Sequence, residues 1–289
     1  MDIENKSQNL NVKEFNYEML DDCKHTPSIL LASARGGGKS VMLHSLMQYA
    51  DKRWKFSHIF AFSQTDKITN SLPFMKQENI FSNLDTLAYI LETRMDSKVP
   101  SKDLKPICLI FNDIASLREN NRSIKNSESL EKICSCGRHR SIMVIILVQK
   151  LTMVNPLIRL NMDCTFLWVA KSHSVKQRIK EEYLGLCKNK KESEILYDQI
   201  FNGTPYNSMA VLQFKQGITS VCGDDGYVYK FIAPFPVPKW KSKSLKKDKT
   251  KTNKNNKKLE IEKNNIFNVY NEIKTNPTLR RSNRIGKKT

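Results

Sequence analysis

Long apolar runs are missing from this chain of 289 residues. None approaches the ~20 residues that a bilayer-spanning helix needs. The first ten residues, Met1 to Leu10, carry Asp2, Glu4 and Lys6 where a secretory leader would have an apolar core. A membrane span or a signal peptide is therefore not expected. Cysteine is present but unpatterned: the seven are scattered and odd in number. Cys134 and Cys136 stand too close for a C-x-x-C metal knuckle and have no second pair, so reduced thiols are expected rather than a disulfide framework. Acidic residues are also scarce, 29 Asp and Glu against 48 Lys and Arg, for a net charge of +19. The deficit is uneven. From Lys239 onward there are 17 Lys and Arg against 4 Asp and Glu, or +13, which leaves +6 for the rest. Such a basic tail fits a nucleic-acid or acidic-surface partner.

Glycine is sparse too, ten in all, and three of the ten are consecutive at Gly36, Gly37 and Gly38. They interrupt Ser28-Ile-Leu-Leu-Ala-Ser-Ala-Arg-Gly-Gly-Gly-Lys-Ser40, in which a short apolar run precedes the glycines and a helical pattern, Val41 to Tyr49, follows Lys39 and Ser40. Strand, glycine loop, Lys-Ser and helix are the parts of a P-loop. Glycines let successive backbone N–H groups turn inward as an anion nest, and the helix points its positive dipole end at the same place. In G-x-x-x-x-G-K-[ST] the first glycine position falls on Ser33, while Gly38, Lys39 and Ser40 fit. Lys39 is then expected on the β/γ-phosphates of ATP and the Ser40 hydroxyl on Mg²⁺.

Four more short apolar runs follow: His58 to Ser63, Ile107 to Asp113, Ile142 to Gln149 and Asp163 to Ala170. Helical spacing is expected between them at Asp85–Arg94, Ser129–Arg140 and Pro156–Asn161, and after them at Lys176–Leu184 and Glu192–Ile200. Met209–Phe214 and Tyr227–Ile232, separated by Asp224-Asp-Gly226, read as an antiparallel pair. Phe15 to Leu20 reads as a short docking segment. The fold class is thus α/β: a mostly parallel sheet buried on both faces and flanked by helices, with a late antiparallel strand pair. Ligands of such sheets sit at the carboxyl ends of the strands, and here Ser33, Ser63, Asn112-Asp113 and Gln149 end the first four runs. Trp168, Phe60 and Phe62 fall on strands and are expected in the core, and His139 has no ligand partners at metal spacing. The expected division is a polar segment over 1–26, a P-loop domain over 27–238 and a disordered basic tail over 239–289, lysine- and asparagine-rich at its start.

Ile107 to Asp113 has the form of a Walker B strand, and Gln149 closes the next strand in the place of a polar sensor. Additional-strand P-loop ATPases have an extra strand between the P-loop and Walker B strands, which Ile59 to Ser63 is expected to supply. This ordering, with Arg138-His-Arg140 just before an Ile/Val-rich strand ending in Gln, resembles the FtsK–HerA superfamily. More narrowly it resembles the genome-packaging ATPases of large DNA viruses and related mobile elements, over roughly residues 27 to 232.

The resemblance implies a ring-forming, ATP-driven motor on double-stranded DNA, working in the host cytoplasm or the virion, with capsid or other virion proteins as further partners. It implies phosphate and Mg²⁺ ligands at Lys39 and Ser40, a γ-phosphate or water sensor at Gln149 and a general base at Asp113. Arg138 and Arg140 become candidates for an arginine finger acting on a neighbour's nucleotide; equally, they suit a basic helix C-terminus. The Walker B acids depart from the family pattern, because the first of the two positions is the amide Asn112. Either the metal site is short of charge, or another carboxylate such as Asp66 or Glu119 has taken the role. Asn112 also keeps open a nucleotide-binding structural subunit that does not hydrolyse, and a helicase-like ATPase remains a neighbouring alternative.

Overall fold

The computed structural model describes residues 10–64, 72–75, 77–82, 84–95, 100, 103–114, 117–119, 122–123, 127–203 and 206–234. The basic tail from 239 on and Asp66 lie outside the described residues, as does the side chain of Glu119. Ten strands are described in chain order: β1 (Ser28–Ala32), β2 (His58–Phe62), β3 (Ile80–Phe81), β4 (Ile107–Asn112), β5 (Arg118–Glu119), β6 (Arg122–Ser123), β7 (Ile142–Val148), β8 (Cys164–Trp168), β9 (Asn207–Leu212) and β10 (Val228–Ile232). The α-helices are α1 (Lys39–Trp54), α2 (Asp85–Met95), α3 (Glu128–Cys136), α4 (Pro156–Leu160), α5 (His173–Tyr183) and α6 (Lys190–Phe201).

Eight strands form one sheet in the order β10-β9-β8-β1-β7-β4-β2-β3, while β5 and β6 pair by themselves. From β8 to β3 the neighbours are parallel, and β9 and β10 add antiparallel at one edge. The central strands are apolar on both sides because both faces are covered, as parallel sheets require. Alternation sorts them. Leu30, Leu109, Phe111, Val144 and Ile146 join one core with residues of α2, α3, α5 and α6. Ile29, Leu31, Cys108, Ile110, Ile145 and Leu147 join the other with Met42, Leu43, Leu46 and Met47 of α1. Phe60, Phe62 and Trp168 are buried, as their strand positions imply.

As the sequence leads one to expect, one further strand stands between the P-loop strand β1 and β4, but it is not the strand expected there. The run Ile59–Ser63 precedes the Walker B strand in the chain, but in the sheet β2 lies beyond β4. The strand inserted between β1 and β4 is β7, the most apolar of all. The core decides the placement: all seven residues of β7 are buried, and the middle of the sheet has most surface to cover. The helix expected over 129–140 is also shorter. It runs from Glu128 to Cys136 and tightens into a 3-10 turn over Gly137–Arg140.

The segment before β1 docks against the second core. Phe15 and Leu20 are buried, and the Phe15 ring meets Phe166 and Phe231 edge-on at 5.1 and 5.3 Å. Backbone bonds tie it to β10, with Phe15 N–H donating to Lys230 O (2.8 Å) and Lys230 N–H to Lys13 O (2.9 Å). Among the described residues no helix is long and apolar enough to cross a membrane.

Candidate functional site

The registers of the three central strands bring their carboxyl ends to one line. Ala32 pairs with Val148, and Leu147 pairs with Asn112. The Ser33 N–H donates to Val148 O at 3.1 Å, holding the start of the glycine loop against the end of β7. Beyond these ends lie Lys39, Asp113 and Gln149, which chain distance separates and the parallel ladder reunites.

The loop has the geometry of an anion cradle. Gly36 (φ 79°) and Gly38 (φ 97°) take left-handed conformations that side chains disfavour. Gly37 serves by its lack of volume: a Cβ there would sit 1.9 Å from Ser33 Oγ. The Ser33 hydroxyl instead donates to Ala34 O at 3.0 Å. A serine in the place of the motif's first glycine is therefore accommodated by the glycine four residues on. Side chains cap the N-termini of α3, α5 and α6 through Ser127, Ser172 and Asn189. The N-cap of α1 is Gly38, which offers no side-chain cap and leaves the first-turn N–H groups of α1 for an anion.

Lys39 is folded back onto the loop, with its ammonium donating to Ser33 O and, at 3.0 Å, to Ala34 O. Burial lowers its pKa, and the Asp113 carboxylate opposes that shift, which sets Asp113 as the counter-charge facing the loop. Asp113 itself has φ 50°, an uncommon backbone state for a residue with a side chain. This turn ends β4 and aims the carboxylate along the sheet edge. Gln149 Nε2 donates to Asp113 Oδ1 and Oδ2 at 3.2 and 3.3 Å. Asn112 closes β4, half-buried, and Ser40 is exposed at the start of α1. The residues present fit a nucleoside triphosphate: nest, lysine, hydroxyl, carboxylate and amide share one edge. Ser40, Asn112 and Asp113 could hold Mg²⁺ there.

Two sequence expectations resolve differently. Ser63 ends β2, on the far side of β4, and its N–H donates to Phe81 O at 2.8 Å. Arg138 and Arg140 precede β7 and so stand at the opposite end of the strand that carries Gln149. Seven residues at ~3.3 Å each put them about 20 Å from the loop. Within one chain they do not meet the site.

Sequence reasoning passed over Tyr206. Its exposed ring would be 3.6 Å from a Cβ on Gly38, beside the buried Trp168, whose Nε1 would be 4.0 Å from the same point. The only signal was topological: β9 starts at the edge where β8 ends, Trp168 pairing with Ser208. An open aromatic face next to a phosphate loop is a surface on which a base can stack.

No protein-family model and no curated protein sequence matches the chain. Among solved structures it is similar to the genome packaging NTPase B204 from Sulfolobus turreted icosahedral virus 2 in complex with ATP-gammaS, at 14% identity and a TM-score of 0.46, over 66% of this chain and 93% of that one. It is similar to the pCW3 conjugation coupling protein TcpA with ATPgS, at 14% identity and a TM-score of 0.49, over 72% and 60% of the two chains. It is also similar to ATPases 2 and 3 of EssC from Geobacillus thermodenitrificans, at 12% identity and a TM-score of 0.48, over 91% and 49%. The strand order, rather than these likenesses, identifies the fold.

Gly37→Ala is expected to leave the fold intact and to weaken nucleotide binding by at least about tenfold, or ~1.4 kcal/mol, because the new methyl displaces Ser33 Oγ. Adding Ser33→Gly should restore binding. Equilibrium titration with a fluorescent ATP analogue checks both, and an unimpaired single variant would contradict the packing argument.

Proposed function

We propose that this chain is an ATP-driven motor that packages or translocates double-stranded DNA for a large DNA virus or related mobile element, and that it works as a homo-oligomeric ring. The observation that carries the reading is the convergence of Lys39, Asp113 and Gln149 at the ends of β1, β4 and β7, with Gln149 bonded to Asp113. That arrangement separates the tasks hydrolysis needs: a cradle for the phosphates, a base, and an amide beside the base.

The residues act as follows. The nest and the uncapped start of α1 bind the phosphates, and Lys39 leaves the Ser33 and Ala34 carbonyls to neutralise the β/γ-oxygens. Asp113 accepts the proton of the attacking water, which Gln149 orients. Bound Mg²⁺ supplies positive charge at the phosphates. Arg138 and Arg140, distant from the site of their own chain, are in this reading presented to the nucleotide of the next copy in the ring. The basic tail supplies sequence-independent contacts with DNA phosphates. Virion proteins are the further partners of such a motor.

Asn112 favours one second reading, a nucleotide-locked structural subunit with little turnover. An amide keeps the hydrogen-bonding shape of a carboxylate but brings no charge to a divalent ion.

Translocation along duplex DNA displaces a third strand annealed in the major groove. The full chain with ATP is expected to strip such a triplex, and Lys39→Ala to lose the activity with the fold retained. ATP-independent stripping, or an active Lys39→Ala variant, would contradict the motor reading.

The charge missing at Asn112 has its own consequence. Two unit charges ~4 Å apart interact by about 4 kcal/mol at an effective dielectric near 20, and each ~1.4 kcal/mol surviving desolvation is a factor of ten. Asn112→Asp is thus expected to lower the Mg²⁺ concentration for half-maximal ATPase rate by about tenfold. An unchanged or higher requirement would mean that another carboxylate already fills the role.

A further inference from the structure

At the end of the sheet opposite the glycine loop, the chain that enters β1 meets the chain that enters β8. Cys23 Sγ lies 3.5 Å from His25 Nε2, and the same Nε2 lies 3.1 Å from Asp163 Oδ1. All three candidate ligand atoms fall within 4.8 Å of one another. We propose that Cys23, His25 and Asp163 form a binding site for a thiophilic divalent cation of the zinc class, separate from the nucleotide centre.

Three observations carry this. The first is ligand spacing. Around a tetrahedral zinc, with Zn–S about 2.3 Å and Zn–N and Zn–O about 2.0–2.2 Å, the S–N edge is about 3.6 Å and the N–O edge about 3.4 Å. The observed 3.5 and 3.1 Å are close to both. One ring nitrogen flanked by a thiol and a carboxylate has a single hydrogen to divide between them, whereas a cation between the three engages all.

The second is orientation. The other carboxylate oxygen, Asp163 Oδ2, accepts from the Ser28 N–H at 2.7 Å and from the Ser28 hydroxyl at 2.8 Å. These bonds fix the carboxylate with Oδ1 toward His25, the outer-shell support that ligating carboxylates have. Asp163 and Cys23 are buried and His25 is half-buried, so the ligand set is held by packing.

The third is access. The cluster lines an open pocket of about 510 Å³ whose wall also includes Asp22, Asn161 and Gln213 and the cations Lys24, Arg138 and Lys215. Three protein ligands and the open side leave room for a water as the fourth ligand. Binding releases the Cys23 thiol proton and any proton on the imidazole, and a thiolate, a carboxylate and a neutral imidazole together balance a divalent charge. The consequence is structural: the cation would pin residues 23–25 to Asp163, which immediately precedes β8 and lies 138 residues from His25.

The test uses the full chain, stripped of metal and titrated with Co²⁺. The expected result is a near-ultraviolet thiolate-to-cobalt band and tetrahedral visible bands, saturating at one equivalent and bleached by Zn²⁺. Cys23→Ser should abolish the thiolate band, and the half-exposed His25→Gln should weaken Co²⁺ binding at least tenfold while ATP binding is kept. Absence of the bands in the native chain, or their persistence undiminished in both variants, would overturn the site and leave an ion pair beside an ordinary thiol.

Discussion

The parallel ladder between β1, β7 and β4 is the constraint from which the site follows. Backbone bonds in register bring Ala32, Val148 and Asn112 to one edge, and that edge is where the polar residues begin. β7 is central because its seven residues are apolar enough to be buried on both faces. Its position sets Gln149 beside Asp113 and puts the Ser33 N–H on Val148 O. Burial thus positions polar groups that bear no sequence proximity to one another.

The site is poised rather than neutral. Lys39 lies against loop carbonyls, so the lysine has a resting place that phosphates would displace. Burial lowers its pKa while the Asp113 carboxylate opposes the shift. Asp113 takes a left-handed backbone state just past the end of β4, and its carboxylate accepts from Gln149 Nε2. In the proposed reading the Asn112 amide is the weak point, since shape without charge would support binding better than turnover.

Much of this was legible in the chain. Consecutive glycines before Lys-Ser and five apolar runs sufficed for the P-loop, the parallel sheet and the late antiparallel pair, because each feature is written in a contiguous stretch. Lateral order was not. Which strand lies between β1 and β4 depends on how much surface each can bury from both sides, and chain order, which sets β2 ahead of β4, points to the wrong strand. The Ser33–Gly37 accommodation was hidden for a different reason: the motif describes residue types, while the fit depends on one missing methyl. Tyr206, and the meeting of Cys23 and His25 with Asp163, depend on sheet topology and so have no local signature.

The central claim is that the ends of β1, β4 and β7 form one hydrolytic centre, and Gln149 tests it most directly because it touches Asp113 and supports no core. ATP affinity and single-turnover hydrolysis should be measured on Gln149→Ala. The account predicts affinity within about threefold of the native chain and a hydrolysis rate lower by at least about a hundredfold, ~2.7 kcal/mol on the barrier. An unchanged rate at unchanged affinity would contradict it.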